Sequence, residues 1–158
     1  MHYLVRLIVN ADTKEDAHAE AERAMDELVE WHEFDWYNQT AENSRWPDCW
    51  EPIRLSTKKA QAMVADAMTE QRNDFKRTMD SIRFMLNNYT DEQIFSEEFE
   101  QIEGYYLSRY QFSRASGYHA NTCQLFGEDG YSITNQKQLD GYLKDTKNLW
   151  VVQVDCHN

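Results

Sequence analysis

The sequence predicts an α+β protein with a ferredoxin-like βαβ…βαβ arrangement, in which two strand-helix-strand halves share one antiparallel sheet. Residues 1–39 carry the pattern of a strand, a helix and a short strand, and residues 121–158 repeat that order. Residues 53–115 between them follow a helical period, which predicts a helical insertion between the two halves. A chain of 158 residues can bury one core without a disulfide or metal, so we expect one domain over residues 1–158.

The first half begins with an apolar run over residues 2–9 that ends in a polar turn, which predicts a buried strand. Thr13 followed by Asp16 resembles a capping box, and alanines and larger apolar residues then recur at helical spacing. We therefore expect a helix to about Trp31, and then a second, short strand over residues 33–37.

The middle of the chain begins with residues 38–52, which show neither period and contain both prolines, so they predict a structured loop. Ser56 can cap a long amphipathic helix that runs to Asn88, with a break near residues 71–74 as an option.

A third helix follows, because Thr90 and Gln93 form a capping box and Gly104 stands where a helix commonly ends. Residues 105–114 fit either a strand or a helix, and we favour the helix.

The second half contains a predicted hairpin, because residues 121–126 and 131–134 flank an Asp-Gly turn. Asn135 can cap a further helix, and residues 149–155 form a β-branched run that predicts the closing strand.

Charge is distributed unevenly along the chain, which has 28 acidic and 16 basic residues and a formal charge of −12. Residues 1–51 hold 13 acidic and 4 basic side chains, whereas residues 52–90 hold 4 acidic and 7 basic ones. Residues 91–103 add 6 acidic side chains, and residues 104–158 are balanced. Such acidity repels nucleic acid and anionic membranes, so we expect a basic protein partner, with neither nucleic acid nor a membrane bound directly.

The location of the protein is predicted from the opening residues and the cysteines. The apolar start is too short for a signal peptide or a membrane span. The three cysteines are odd in number and widely spaced, which favours reduced thiols over a disulfide framework. We therefore expect a cytoplasmic protein, and the oligomeric state is left open.

The first helix and the loop after it contain the candidate binding residues. Residues 36–50 hold three of the five tryptophans, and such rings either close the core or form a recognition patch. The acidic side chains of the helix are either a solvated face or a stripe that complements a basic groove. The candidate partner-binding residues are Asp26, Glu27, Glu30, Glu33, Asp35, Trp36, Tyr37, Arg45, Trp46 and Trp50.

No motif for catalysis or for a cofactor is present in the sequence. His119, Cys123, Cys156 and His157 could ligate zinc, but their spacing matches no familiar zinc motif, so we expect no metal. The sequence also lacks a Gly-x-Ser-x-Gly elbow and a phosphate-binding glycine loop. We expect no cofactor and name no catalytic residue, and we lean against an enzyme.

Several stretches resemble small accessory proteins of phages and prophages: MHYLVRLIVNADTKEDA, FDWY followed by RW, and the closing GEDGYSI and LWVVQVD. The resemblance covers about half of the chain, mostly its two ends, and implies no activity. Small acidic phage proteins include inhibitors of host defence, among them anti-CRISPR proteins. For a phage protein, the expected location is the host cytoplasm.

Two functions are therefore carried forward. The first is a non-enzymatic interaction or inhibitor protein that acts on a basic nucleic-acid-binding protein of the host. It would bind the basic surface of that protein through its acidic first helix and through residues 36–50, which we call the Trp-rich loop. The alternative is a small-ligand or nucleotide-binding protein that uses the Trp-rich loop. Acidity as an adaptation to a salty cytoplasm is a third interpretation of the charge.

Overall fold

The computed structural model describes residues 2–117, 123–144 and 148–157, and these residues form five strands and five helices. None of the described helices has the length and apolar character needed to cross a membrane. The strands are β1 (His2–Asn10), β2 (Trp36–Tyr37), β3 (Ile53–Arg54), β4 (Cys123–Gly127) and β5 (Leu149–His157). The helices are α1 (Lys14–Glu30), α2 (Lys58–Asn88), α3 (Asp91–Phe95), α4 (Tyr110–Gly117) and α5 (Gln136–Lys144).

The sheet is mixed, with the strand order β2-β5-β1-β4 and with β3 also paired to β5. The pair β1–β4 is parallel, whereas β1, β2 and β3 all run antiparallel to β5. The long strands β1 and β5 are almost continuously buried, as expected for strands that are covered on both faces. The α+β class is confirmed.

The ferredoxin-like order is not confirmed, and the prediction of an antiparallel sheet is wrong for one strand pair. The second strand lies beside β5, and β4 runs parallel to β1. A parallel pair requires a long crossover connection, usually a helix, and the segment that contains α2 can supply one. The helical insertion is not confirmed either, because α2 contacts β1, β3, β4 and β5. One domain over residues 1–158 stays a prediction.

Helices α1 and α2 lie on opposite faces of the sheet. Tyr37 donates a hydrogen bond to Asp26 of α1 at 2.6 Å, and Arg6 donates one to Asp66 of α2 at 2.7 Å. Tyr37 and Arg6 stand opposite positions of β5 that are three residues apart, so they point to different faces. The sheet is therefore the middle of three layers.

The predicted caps of the first two long helices are correct or off by one residue. Thr13 accepts a hydrogen bond from the backbone N–H of Asp16, and α1 ends one residue before Trp31. Thr57, rather than Ser56, caps α2 by accepting from a backbone N–H of the first turn. Helix α2 is unbroken through residues 71–74, where the polar side chains are hydrogen-bonded inside the protein instead of opening the helix.

The third predicted helix is wrong in length. Its capping box at Thr90 is present, but α3 ends at Phe95 and does not reach Gly104. Two residues later, Glu97 takes a left-handed φ of 55°, and its carboxylate accepts hydrogen bonds from Ser108 Oγ and the backbone N–H of Arg109. These two bonds lower the pKa of Glu97 and hold the chain as a loop.

Two later elements are also shorter than expected. Residues 105–114 are helical only from Tyr110 onward. The predicted hairpin has a single bridge, between Phe126 and Ser132, because residues 131–134 form no strand. Asn135 caps α5 as predicted, by accepting from a backbone N–H at 3.0 Å.

Candidate functional site

The outer surface of α1 is acidic because its other side is committed to the core. Ala17, Ala21, Ala24, Met25 and Leu28 are buried, which leaves the charged positions of the helix facing solvent. Its exposed acidic residues are Glu15, Asp16, Glu22, Asp26 and Glu30.

Internal pairing removes only part of this acidity. Arg23 lies between two carboxylates of its own helix, 3.0 Å from Glu20 and 2.6 Å from Glu27. Asp26 accepts from the Tyr37 hydroxyl, and burial together with this carboxylate raises the pKa of Tyr37. Glu27 and Asp26 thus have partners within the protein.

The other acidic candidates lie around the end of α1 and the start of β2. Glu30 is exposed and Glu33 is half-buried. The carboxylate of Asp35 is exposed and lies 4.0 Å from His157 Nδ1. The structure thus places these residues in one neighbourhood beside the acidic helix.

Two of the three tryptophans in the loop belong to the core. Trp50 is 7% exposed, and its indole N–H donates to the backbone oxygen of Asn38. Its ring lies 5.0 Å from the ring of His18 on α1 and 5.7 Å from that of Tyr37. Trp46 is partly buried against the same core. The rings of Trp46 and Trp50 therefore pack in or against the core.

The third tryptophan, Trp36, has an exposed ring. It is 43% exposed and stacks on His157, with ring centroids 5.0 Å apart and an interplanar angle of 9°. His2 meets the Trp36 ring edge-on at 5.7 Å. Arg45, also a candidate, extends an exposed side chain from the same loop.

Asp155 organises this end of the sheet, and the sequence analysis did not single it out. Its carboxylate is fully buried, lies 2.7 Å from His2 Nδ1 and accepts from Asn38 Nδ2 at 2.8 Å and from the Arg45 backbone N–H at 2.9 Å. It therefore ties β1 and the Trp-rich loop to β5. The available signal was the one acidic residue within the β-branched closing strand.

A shallow groove runs between α1 and the loop before β3, with a volume of about 440 Å³. We call it the acidic groove; its walls include Lys14, Glu15, His18, Glu22, Trp50 and Glu51. Lys14 and Glu51 are bonded to each other at the rim. Carboxylates beside an aromatic pair can hold a cationic side chain, whose charge meets the acids while its stem packs on the rings.

The three cysteines lack the character of nucleophiles. Cys49, Cys123 and Cys156 are free and buried. Burial raises the pKa of all three thiols, and that of Cys123 reaches about 11. At neutral pH they are therefore protonated, which is the unreactive form.

Metal ligation finds little support in the described ranges. No group of three His, Cys, Asp or Glu side chains that could hold a metal occurs in residues 2–117, 123–144 and 148–157. Cys156 and His157 are successive residues of β5 and point to opposite faces. His119 lies outside the described residues.

Comparison with known proteins places the chain in a family without assigning an activity. A family model described as a domain of unknown function, DUF7995, matches residues 1–158. Neither the curated proteins nor the solved structures gave a match. These comparisons show no link to phage proteins, so that resemblance stays a prediction.

Proposed function

We propose that this chain, which belongs to the DUF7995 family over residues 1–158, is a non-enzymatic protein that binds and inhibits a basic nucleic-acid-binding protein. The acidic groove is the observation that carries the proposal. Two carboxylates there, from Glu15 and Glu22, line the groove together with the His18–Trp50 ring pair, and the carboxylate of Glu51 is paired with Lys14. An arginine or lysine of the partner would enter this groove.

A row of carboxylates extends the acidic groove along α1. Glu22, Asp26 and Glu30 follow one another at intervals of four residues, so they share one side of the helix. At a rise of about 1.5 Å per residue they are spaced about 6 Å apart along the axis. A surface that binds the regular charges of a nucleic-acid backbone can accept such a row, and this supports competition with nucleic acid.

The candidate residues of the Trp-rich loop belong to the same proposed interface. Trp36 offers an exposed aromatic face, and the exposed Arg45 can pair with an acidic residue on the rim of the partner. The resemblance of the chain ends to phage proteins supports a partner in host defence, such as a CRISPR effector, and a place in the host cytoplasm.

The test is displacement of labelled DNA from a purified CRISPR effector nuclease, followed by fluorescence anisotropy at about 50 mM salt. The unmodified chain is expected to displace the DNA stoichiometrically, and higher salt is expected to weaken the effect. The variant Glu15→Gln/Glu22→Gln/Asp26→Asn is expected to lose at least about tenfold in potency, since charge pairs at interfaces couple by more than about 1.4 kcal/mol.

A matched control separates the acidic groove from overall charge. The variant Glu98→Gln/Glu100→Gln/Glu103→Gln also removes three exposed carboxylates, but from the segment after α3. It is expected to act like the unmodified chain. An equal loss of potency in both variants would show that overall charge, rather than the acidic groove, causes the displacement. If the unmodified chain displaces DNA from none of a panel of such nucleases, the proposal is wrong.

A second candidate function rests on the Trp36–His157 stack. An exposed indole beside an imidazole is a platform on which a nucleobase can stack. A thermal-shift screen against nucleotides tests this function, since ligand at about 100 times its Kd adds about 2.7 kcal/mol of stability. The expected shift disappears in Trp36→Leu, whereas a shift that persists in this variant places the nucleotide elsewhere.

A further inference from the structure

A second cavity lies between α2 and α4 and shares no lining residue with the acidic groove. Its volume is about 650 Å³, which is within the usual range for small-molecule sites. We call it the Arg114 cavity; its walls include Tyr3, Asp74, Arg77, Tyr106, Tyr110 and Arg114. None of these residues belongs to the acidic groove.

The cavity contains a buried ion pair with an excess of positive charge. Asp74 accepts from Arg114 Nη2 at 2.6 Å and from Arg77 Nη2 at 3.2 Å. The side chains of Asp74 and Arg114 are each 6% exposed, whereas that of Arg77 is 60% exposed. Two guanidinium groups thus meet one carboxylate, in a protein whose formal charge is −12.

Arg114 has one donor, Nε, that is unused within the described residues. Its Nη1 donates to Gln111 Oε1 at 3.3 Å and its Nη2 donates to Asp74. Its Nε is buried and has no hydrogen-bond partner in the part of the chain that the structure describes. A buried N–H without an acceptor costs folding free energy, and an acceptor supplied by a ligand would remove that cost.

Three tyrosine rings supply another part of the wall. Tyr106 and Tyr110 are 63% and 55% exposed, so their faces are open to a ligand at the mouth of the cavity. Tyr3 is buried deeper, and burial is the main cause that raises the pKa of its hydroxyl. Its hydroxyl therefore remains protonated and able to donate a hydrogen bond at neutral pH.

We propose that the Arg114 cavity binds a small aromatic molecule that carries one carboxylate. The carboxylate accepts from Arg114 Nε and is attracted by the exposed guanidinium of Arg77, which shares the Asp74 carboxylate with Arg114. Its ring packs against Tyr106 and Tyr110, since aromatic pairs favour stacked or edge-on contacts. This site is independent of the proposed function and uses different residues.

The test is a titration of the ¹⁵N-labelled full chain with 1-naphthoate, followed by NMR chemical shifts. Saturable shifts are expected at residues 74–81 and 104–114. The neutral 1-naphthamide has the same ring system and is expected to bind at least about tenfold more weakly, because it lacks the charge that strengthens the hydrogen bond.

Two substitutions test the Arg114 Nε donor and the Arg77 charge separately. Arg114→Lys keeps a cation beside Asp74 but removes the Nε donor, and Arg77→Gln removes the excess charge. Each is expected to weaken naphthoate binding at least about fivefold. Arg72→Gln is the matched control for Arg77→Gln, because Arg72 is an exposed residue of α2 that does not line the cavity. It is expected to bind as the unmodified chain does.

Three outcomes would overturn the proposal: equal binding of naphthoate and naphthamide, shifts outside the cavity, or equal affinities of Arg77→Gln and Arg72→Gln. If Arg114→Lys does not fold, the comparison of Arg77→Gln with Arg72→Gln still decides. A negative result leaves the acidic groove untouched, because displacement of DNA is measured separately.

Discussion

The acidic groove and the Arg114 cavity show how two regions of one acidic chain acquire opposite chemistry. The groove combines residues of one helix with a loop that follows it closely in sequence, and its charge is exposed. The cavity collects side chains from β1, α2 and α4, and most of its charge is buried and paired. Net charge therefore describes the first region and is misleading for the second.

The charged residues of the two regions are also expected to differ in how much they contribute to binding and to stability. Exposed carboxylates are solvated, so they can be removed at little cost to folding and at large cost to long-range attraction. A buried pair is sensitive to loss of either partner, because the remaining charge stays buried without compensation. Four changes can break or sharpen this contrast, and their expected effects decrease in the order given below.

The largest effect is expected from Asp74→Asn in the Arg114 cavity. The substitution leaves the Arg114 guanidinium buried beside a neutral amide, which costs about 3–5 kcal/mol of unfolding free energy. Urea denaturation measures the change. Asp80→Asn on the same helix, which breaks the exposed pair with Arg83, is the control and is expected to cost less than about 1 kcal/mol. Similar losses in the two variants would contradict the distinction.

A smaller loss is expected from Asp155→Asn, beneath the Trp-rich loop. The amide oxygen can still accept from Asn38 and Arg45, whose N–H groups bond to the same carboxylate oxygen, but these bonds lose the negative charge that strengthens them and the amide NH2 replaces the oxygen that contacts His2 Nδ1. We expect a cost of about 1–3 kcal/mol and weaker amide protection in residues 38–45. Hydrogen exchange measures the loop directly. Unchanged protection there would show that Asp155 does not hold the loop.

Alkaline pH is expected to act through the buried Cys123 thiol. Burial raises its pKa to about 11 in the folded protein from an ordinary value of 9.0, so the fold favours the protonated thiol. The stabilisation is complete below pH 9.0 and is lost as pH rises toward 11, amounting to about 2 kcal/mol. Cys123→Ala should reduce the slope of unfolding free energy over this range. An unchanged slope would contradict the assignment to this thiol.

The smallest effect on stability is expected from the groove variant Glu15→Gln/Glu22→Gln/Asp26→Asn. Removing three exposed carboxylates also removes mutual repulsion, and the amide at position 26 can still accept from the Tyr37 hydroxyl, so the unfolding free energy should change by less than about 1 kcal/mol. Thermal denaturation at low and at high salt measures it. A loss as large as that of Asp74→Asn would mean that the acidic groove supports the fold, and its role in binding would need a different variant.

Local signals in the sequence predicted the caps of three helices and the two long strands, but not the length of the third helix. The caps at Thr13, Thr90 and Asn135 and the apolar runs of β1 and β5 all depend on neighbouring residues. The strand order could not be predicted in the same way. The direction of β4 depends on where α2 returns the chain, which is a property of packing across the whole sheet.

The two candidate regions differ in the same respect. The acidic residues of α1 were visible because a helix of known period places them on one side. The Arg114 cavity was not visible, because Tyr3, Asp74 and Arg114 come together only in the folded chain. Trp50 is 7% exposed and yet lines the acidic groove, and composition alone does not distinguish a ring in the core from a ring at an interface.

The position of β5 has a consequence for how the protein is made. This strand is the last of the sheet to leave the ribosome, yet it holds β1 on one side and β2 and β3 on the other. Its first pairing joins His2 to His157, nearly the full span of the described chain. Pairing over such a long sequence separation slows folding, and until β5 is available one edge of β1 has no partner strand within the described sheet. We therefore expect the sheet to be completed only after translation has passed β5.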